Sequence, residues 1–432
     1  MHQPIRKPLR VIRPSPIDRI QQTRRLLRAE GRGGVATRLR ERASRALAPP
    51  GTRRLPVSRE DLIRAGEIAA AGWNLPGPAP AQAGEPLNVA FVCVPPGIGS
   101  GGHTTMFRIV AALERAGHRC VVYLQDRHGW SLDQHIRLIR STWPWVSAEV
   151  RDLRAGLEDS HAVFATGWMT AYSLLVSPTL GARCYLVQDF EPSFSPAGSE
   201  WLLAEATYRF GFQGVTAGRW LAQMLRRDYG MAADHFDFGC DLESYALDRS
   251  LDGARVRTGV CYYSRPSTPR RAHELAILAL ELFAGRHPEV DIHLFGEPAG
   301  RLSFPATHHG LLSPPQLGAL YNRCVAGLSL SATNVSLVPH EMLAAGCIPV
   351  VNDADHNRTV LDNPHVAYSP ATPFELSGAL SAFVERPVRE RVAMAEEASL
   401  SVVSMSWDDA GAQVERIVRR VVDAGQRDRV LA

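Results

Sequence analysis

From Leu87 onward the chain alternates between short apolar runs and amphipathic stretches, and the same alternation starts again after Leu251. Few architectures tolerate that rhythm. Strands that are apolar throughout must be buried on both faces, and helices between them supply the cover, so the pattern calls for parallel sheets with helices on each side. In the first half, strands are expected at Leu87–Val94, Arg119–Leu124, Ala162–Thr166 and Arg183–Gln188, with a helix over His103–Ala116 stopped by Gly117. In the second half they are expected at Thr258–Ser264, Val290–Phe295, Val325–Leu330 and Ile348–Asn352. Two helices there announce their starts. Ser313-Pro314-Pro315-Gln316 and Thr372-Pro373-Phe374-Glu375 each set a capping hydroxyl before proline, with Gln or Glu at the third helical position. The reading is an α/β chain of two doubly wound units, residues 87–250 and 251–406. A final helix, within 407–432, carries Ala410, Val414, Ile417 and Val421 on one side and is expected to cross back to the first unit.

Residues 1–86 obey a different grammar. The first 60 residues hold 16 Lys/Arg against 4 Asp/Glu, a balance of +12 inside a chain whose net charge is +4, so the remainder is about −8. Basic helical segments are expected between Arg19 and Ala48, broken by Gly31, Gly33 and Gly34, and a further helix is expected to start at Ser58 with Asp61 in its first turn. A linker rich in Pro, Ala and Gly runs from Pro76 to Pro86. A basic arm on an acidic body suits a polyanionic partner, either an anionic membrane face or nucleic acid. The seven cysteines are scattered singly with no C-x-x-C pair, as expected of buried thiols in a reducing compartment rather than of a disulfide framework or a zinc site. No apolar run approaches a membrane span of about 20 residues, and the N-terminus lacks the apolar segment of a signal peptide. The expected location is cytoplasmic, peripheral at the inner face of the plasma membrane.

Candidate chemistry gathers where the strands end. Gly97-Ile98-Gly99-Ser100-Gly101-Gly102 follows the first strand and satisfies G-x-G-x-x-G, with Asp126 closing the next strand; by itself this is a dinucleotide fingerprint. Its narrower content is a turn that exposes backbone amides beside His103. The run Gln188-Asp189-Phe190-Glu191 leaves a buried strand with two carboxylates two residues apart, placed to meet an acceptor. Arg265 and Arg270 lie in a proline-stiffened loop after the strand at Thr258–Ser264, where guanidinium groups can stabilise a departing diphosphate. Thr333, Asn334, Ser336 and Leu337 lead into a helix bearing Glu341, a candidate for ribose hydroxyls. Asp353-Ala354-Asp355 is read as a turn, and His308-His309 as a loop pair without a third metal ligand.

Arg265 with Arg270, the stretch from Ser336 to Gly346 and the tandem architecture together resemble the large retaining family of two-domain glycosyltransferases usually numbered four, in particular its rhamnosyltransferases of bacterial surface glycans. The resemblance implies the GT-B fold, two facing Rossmann-like domains with the nucleotide sugar held by the second and the acceptor by the first. Arg265 and Arg270 match the family's Arg and Lys phosphate pair, with arginine in place of lysine, and Glu341 matches the second glutamate of its Glu-x7-Glu motif. Thr333 stands where the first glutamate belongs, which disfavours hexose donors and favours a deoxyhexose such as rhamnose, carried as dTDP-rhamnose or on UDP. Gly101, Gly102 and His103 resemble the loop that meets the donor from the first domain. Arg265, Arg270, Asp189 and His103 are then the expected catalytic set, and Gln188, Asp189 and Glu191 the acceptor contacts. The resemblance implies no metal and no other cofactor. A glycan or lipid-linked glycan is the expected acceptor, an anionic membrane surface and a second copy of the chain are the further partners considered, and nucleic acid is not expected. The rivals from other classes are an NAD-dependent enzyme built on residues 97–102 and a nucleic-acid-binding protein built on the arm.

Overall fold

The computed structural model describes residues 55–82, 84–126, 129–249 and 257–431, with side chains through residue 427. The helical segments expected between Arg19 and Ala48, and nearly all of the basic arm, lie outside the described residues. The chain enters through α1 (Arg59–Ala70), whose N-terminal amide at Asp61 donates to the Ser58 hydroxyl at 3.0 Å. The first domain then runs β1 (Asn88–Cys93), α2 (Gly101–Arg115), β2 (Arg119–Leu124), α3 (Leu132–Thr142), β3 (Glu149–Asp152) and β4 (Ala162–Ala165). It continues through α4 (Trp168–Leu175), β5 (Ala182–Val187), α5 (Ser199–Ala206), β6 (Gln213–Ala217), α6 (Arg219–Tyr229) and β7 (Ala233–Phe236). Its seven strands pair in the order β3-β2-β1-β4-β5-β6-β7, every pair parallel.

The second domain repeats the scheme with β8 (Gly259–Ser264), α7 (His273–Arg286), β9 (Ile292–Gly296), β10 (Thr307–His308), α8 (Pro314–Tyr321) and β11 (Cys324–Leu328). It ends with α9 (Val338–Ala344), β12 (Ile348–Asn352), α10 (Asp355–Leu361), β13 (Ala367–Ser369), α11 (Pro373–Val384) and α12 (Val388–Leu400). Its order is β10-β9-β8-β11-β12-β13, again all parallel. Both capping signals are used: Gln316 accepts from the Ser313 amide at 3.0 Å, and the Glu375 amide donates to Thr372 Oγ1 at 3.2 Å. In each sheet the order reverses direction at one place, between β1 and β4 and between β8 and β11. Ligands of open α/β sheets bind outside the carboxyl ends of the strands at such a reversal. The carboxyl ends of the two Rossmann-like sheets therefore define where the chemistry belongs.

The closing helix, α13 (Trp407–Leu431), lies against α2, with Ala410, Val414, Val418 and Val422 buried along one side. Gly411 is required at this crossing because a Cβ there would overlap that of Ala112. The segment expected to be a linker is docked rather than loose. Gly77 O accepts from the Gly181 amide at 2.8 Å and Ala79 N donates to Ser160 O at 2.9 Å, while Trp73, just before the segment, packs on Phe210 with ring centroids 5.4 Å apart. Among the described residues no helix is long and apolar enough to cross a membrane.

Candidate functional site

β5 delivers Gln188 and Asp189 to the carboxyl edge of the first sheet, and the chain then turns through a short 3-10 helix, Glu191–Phe194. Opposite, β8 delivers the loop Arg265–Arg271, and β11 the loop Ser329–Leu337. The two edges join at Asp189. Its Oδ2 accepts from Arg270 Nε at 2.8 Å, and its Oδ1 accepts from the Asn334 amide at 3.0 Å and from the Phe190 amide at 2.9 Å. Asn334 Nδ2 donates in turn to Gln188 O at 3.0 Å and Ala217 O at 2.9 Å, so one side chain of the second domain pins two strand ends of the first. The Arg270 guanidinium also lies over the Phe194 ring, 4.2 Å from its centroid. An ion pair that is 8% exposed on the Asp189 side and shared between domains is screened far less than a surface pair. A second junction lies nearby, where Arg219 Nε donates to Thr359 O at 2.7 Å.

Arg265 is held on its own domain, with Nε 3.5 Å from Glu297 Oε1 and NH1 3.2 Å from Tyr263 Oη. Glu297 also accepts from the Ser267 amide and hydroxyl at 3.0 and 2.6 Å. Both arginines expected at the diphosphate thus carry a carboxylate partner. Beside them, Thr333 Oγ1, Asn334 Oδ1 and Ser336 Oγ are buried with no hydrogen-bond partner among the described residues. Buried hydroxyls without partners are uncommon in folded proteins and point to a ligand or water that completes them. Leu337 precedes α9, and Glu341 within it accepts from Tyr321 Oη at 3.4 Å; burial pushes its carboxyl up to about 7.

Two expected contacts, Glu191 and His103, are engaged within the first domain. Glu191 does not share the cleft with Asp189. It turns beneath α4, where Oε2 accepts from the Trp168 amide at 2.6 Å; it is 6% exposed, and burial pushes its pKa up to about 8. The two-residue spacing would keep both carboxylates on one face only if the strand continued, and β5 ends at Val187. His103 spends both ring nitrogens on its own loop. Nε2 lies 3.3 Å from Val94 O, which can only accept, so Nε2 carries the proton and Nδ1 accepts from Ser100 Oγ at 2.8 Å. Burial lowers its pKa to about 4, so the ring is neutral and offers an acceptor no free nitrogen while these bonds stand. Gly101 and Gly102 open α2 in the open, and a Cβ on Gly102 would meet the Gln188 side chain at 3.7 Å. Asp126, the carboxylate a dinucleotide ribose would need, is paired with His135 at 3.4 Å, and Asp353 is paired with Arg358. The residue that sequence reasoning passed over is Arg271, which stands in the same loop and reaches Asn334 O at 3.5 Å. Its signal was the doubled arginine after Pro269.

Residues 258–381 match the family described as WsaF, C-terminal domain. The O-antigen biosynthesis protein RfbC of Myxococcus xanthus is 29% identical over 337 residues, 75% of this chain but only 26% of that protein, so the chain spans about a quarter of the relative's length. Among solved structures, a glycosyltransferase from Rickettsia africae superposes with TM-score 0.55 at 11% identity, covering 78% of this chain and 99% of that one. HepE of Anabaena, solved in complex with UDP, superposes with TM-score 0.56 at 14% identity, covering 77% and 99%. WaaG, a glycosyltransferase involved in lipopolysaccharide biosynthesis, superposes with TM-score 0.52 at 13% identity, covering 76% and 99%. Two parallel sheets meeting edge to edge, tied at Asp189 and bridged by the last helix, give this chain the GT-B fold.

Proposed function

We propose that the chain is a retaining glycosyltransferase of polysaccharide or lipopolysaccharide assembly, moving a deoxyhexose, rhamnose foremost, from a nucleotide diphosphate such as dTDP-rhamnose onto a glycan or lipid-linked glycan. The observation that carries this reading is the meeting of Asp189, after β5, with Arg270 and Asn334, after the β8 and β11 that flank the second sheet's reversal, beside unpartnered hydroxyls. The names of the relatives favour surface-glycan assembly, and the rhamnose donor and the family numbered four rest on Thr333 and the motif resemblance.

In this reading Arg265 and Arg270 meet charge that grows on the diphosphate as the glycosidic bond breaks, an effect of preorganised donors. Thr333, Asn334 and Ser336 contact the donor, and Glu341 accepts from the ribose hydroxyls. Asp189 orients the acceptor with Gln188. The departing diphosphate oxygen takes the acceptor's proton on the same face, so the reaction needs no enzymatic base and the reading calls for no metal. The test is a thermal-shift panel of dTDP-, UDP-, GDP- and ADP-sugars. A donor at 100 times its dissociation constant stabilises by about 2.7 kcal/mol and raises the midpoint by a few degrees. A panel in which no nucleotide sugar moves the midpoint contradicts the reading.

A further inference from the structure

Within the cleft, the doubled arginine divides into two environments. Arg270 is held on two sides, its Nε by Asp189 at 2.8 Å and its guanidinium face by Phe194 at 4.2 Å, and Asp189 is itself fixed by two backbone amides. A phosphate taking Arg270 as its first contact would have to break a charged pair that bridges the domains. Arg265 is likewise committed, to Glu297. Arg271 differs from both. It is half-buried, and the one hydrogen bond of its side chain among the described residues runs from NH1 to Asn334 O at 3.5 Å, the long end of the range. No carboxylate lies within ion-pair distance of it among the described residues. Burial is the largest influence and lowers its pKa; the Asp189 charge comes next and raises it, and the Arg270 and Arg265 charges lower it again. A guanidinium pressed by burial and by two like charges is stabilised by an anion brought alongside.

The same turn supplies the rest of a fitting set. Asn334, whose carbonyl Arg271 touches, stands between Thr333 and Ser336, and the hydroxyls of both lack partners. Hydroxyls cannot neutralise a guanidinium, but they can donate to an anion that does. A diphosphate presents only acceptor oxygens and two to three negative charges, which complements one cation flanked by donor hydroxyls.

We infer that Arg271 is the guanidinium that binds the donor diphosphate in the ground state, while Arg270 remains with Asp189 and acts on turnover. The inference rests on the reading of the cleft as a nucleotide-sugar site. It divides the two neighbours by kinetic signature: Arg271 governs diphosphate affinity, and Arg270 governs the chemical step with little effect on binding.

Calorimetric titration of the full chain tests this with UDP, dTDP, GDP and ADP, carrying forward the tightest together with its parent nucleoside. Arg271→Gln should weaken the diphosphate by roughly ten- to a hundredfold, the range of one charge-assisted hydrogen bond, and leave the nucleoside within about threefold. Arg271→Lys should recover part of the loss. Arg270→Gln should keep diphosphate affinity within about threefold while turnover falls. Equal weakening of nucleoside and diphosphate in Arg271→Gln would mark a merely structural role and overturn the inference. So would wild-type diphosphate affinity in that variant, or a larger binding loss in Arg270→Gln. If Arg271→Gln fails to fold, Arg271→Lys carries the same comparison of diphosphate with nucleoside. Should the wild-type chain bind none of the four diphosphates, the nucleotide-sugar reading falls and this inference falls with it.

Discussion

Arg270→Ala and Asp189→Asn are each expected to lower turnover by on the order of a hundred- to a thousandfold, the scale seen when one preorganised charged group is removed from a reacting centre. The two losses should not add. Arg270 Nε and Asp189 Oδ2 are 2.8 Å apart across the domain boundary, so removing either frees the other from its geometry. A double variant close to the worse single variant would give a large coupling energy, as residues sharing one ion pair do, whereas independent effects would multiply. Asp189→Asn keeps an oxygen for the amides of Asn334 and Phe190 but loses the charge that faces Arg270, so its melting temperature should fall less than its rate. Arg265→Ala should cost about a hundredfold by the same electrostatic argument. Single variants with near wild-type rates would remove Asp189 and Arg270 from the chemistry.

The second large effect concerns stability. Glu191 is held beneath α4 by the Trp168 amide, with its amide donating to Tyr208 Oη at 3.0 Å, and burial raises its pKa from 4.5 to about 8. Glu341 is raised in the same direction, to about 7. A carboxyl whose folded pKa exceeds its unfolded value binds its proton more tightly in the folded state. The associated stability is therefore complete below about 4.5 and is lost as pH climbs through about 7 and then about 8. For Glu191 alone the linkage amounts to roughly 3–5 kcal/mol across that window. Urea denaturation between pH 5 and 9 should show this decline, and Glu191→Gln, which mimics the protonated form, should flatten much of it. Glu191→Ala should flatten the decline too, but cost about 2–4 kcal/mol near pH 5, because the buried Trp168 amide loses its acceptor and a cavity opens, with that cost shrinking as pH rises. A stability that rises toward pH 9 in the wild-type chain would contradict the assignment.

Most central strands were legible because their runs are largely apolar: Val89, Phe91 and Val92 in β1 and Val350 and Val351 in β12 bury completely or nearly so, whereas β6, Gln-Gly-Val-Thr-Ala between β5 and β7, was not expected. The edge strands were not. β3 reads Glu-Val-Arg-Asp and β10 is two exposed residues, so both are strands by virtue of the neighbour they pair with rather than by their own pattern. The site divides in the same way. Asp189 and Arg270 could each be picked out at a strand end, but their contact joins positions 81 residues apart and depends on how two domains face each other. Glu191 was misplaced because strand periodicity was carried past the end of β5. For His103 the sequence did not show that Ser100, three residues earlier at the helix cap, holds its ring.

Donor cleavage tests the central claim most directly. With a panel of nucleotide sugars and a surface-glycan acceptor, the account predicts that one nucleoside diphosphate is released per sugar transferred, fastest from a deoxyhexose donor. It also predicts that carbon NMR of the product finds the anomeric configuration of the donor retained. Inversion at that carbon would contradict the retaining mechanism, and transfer from no member of the panel would contradict the account as a whole.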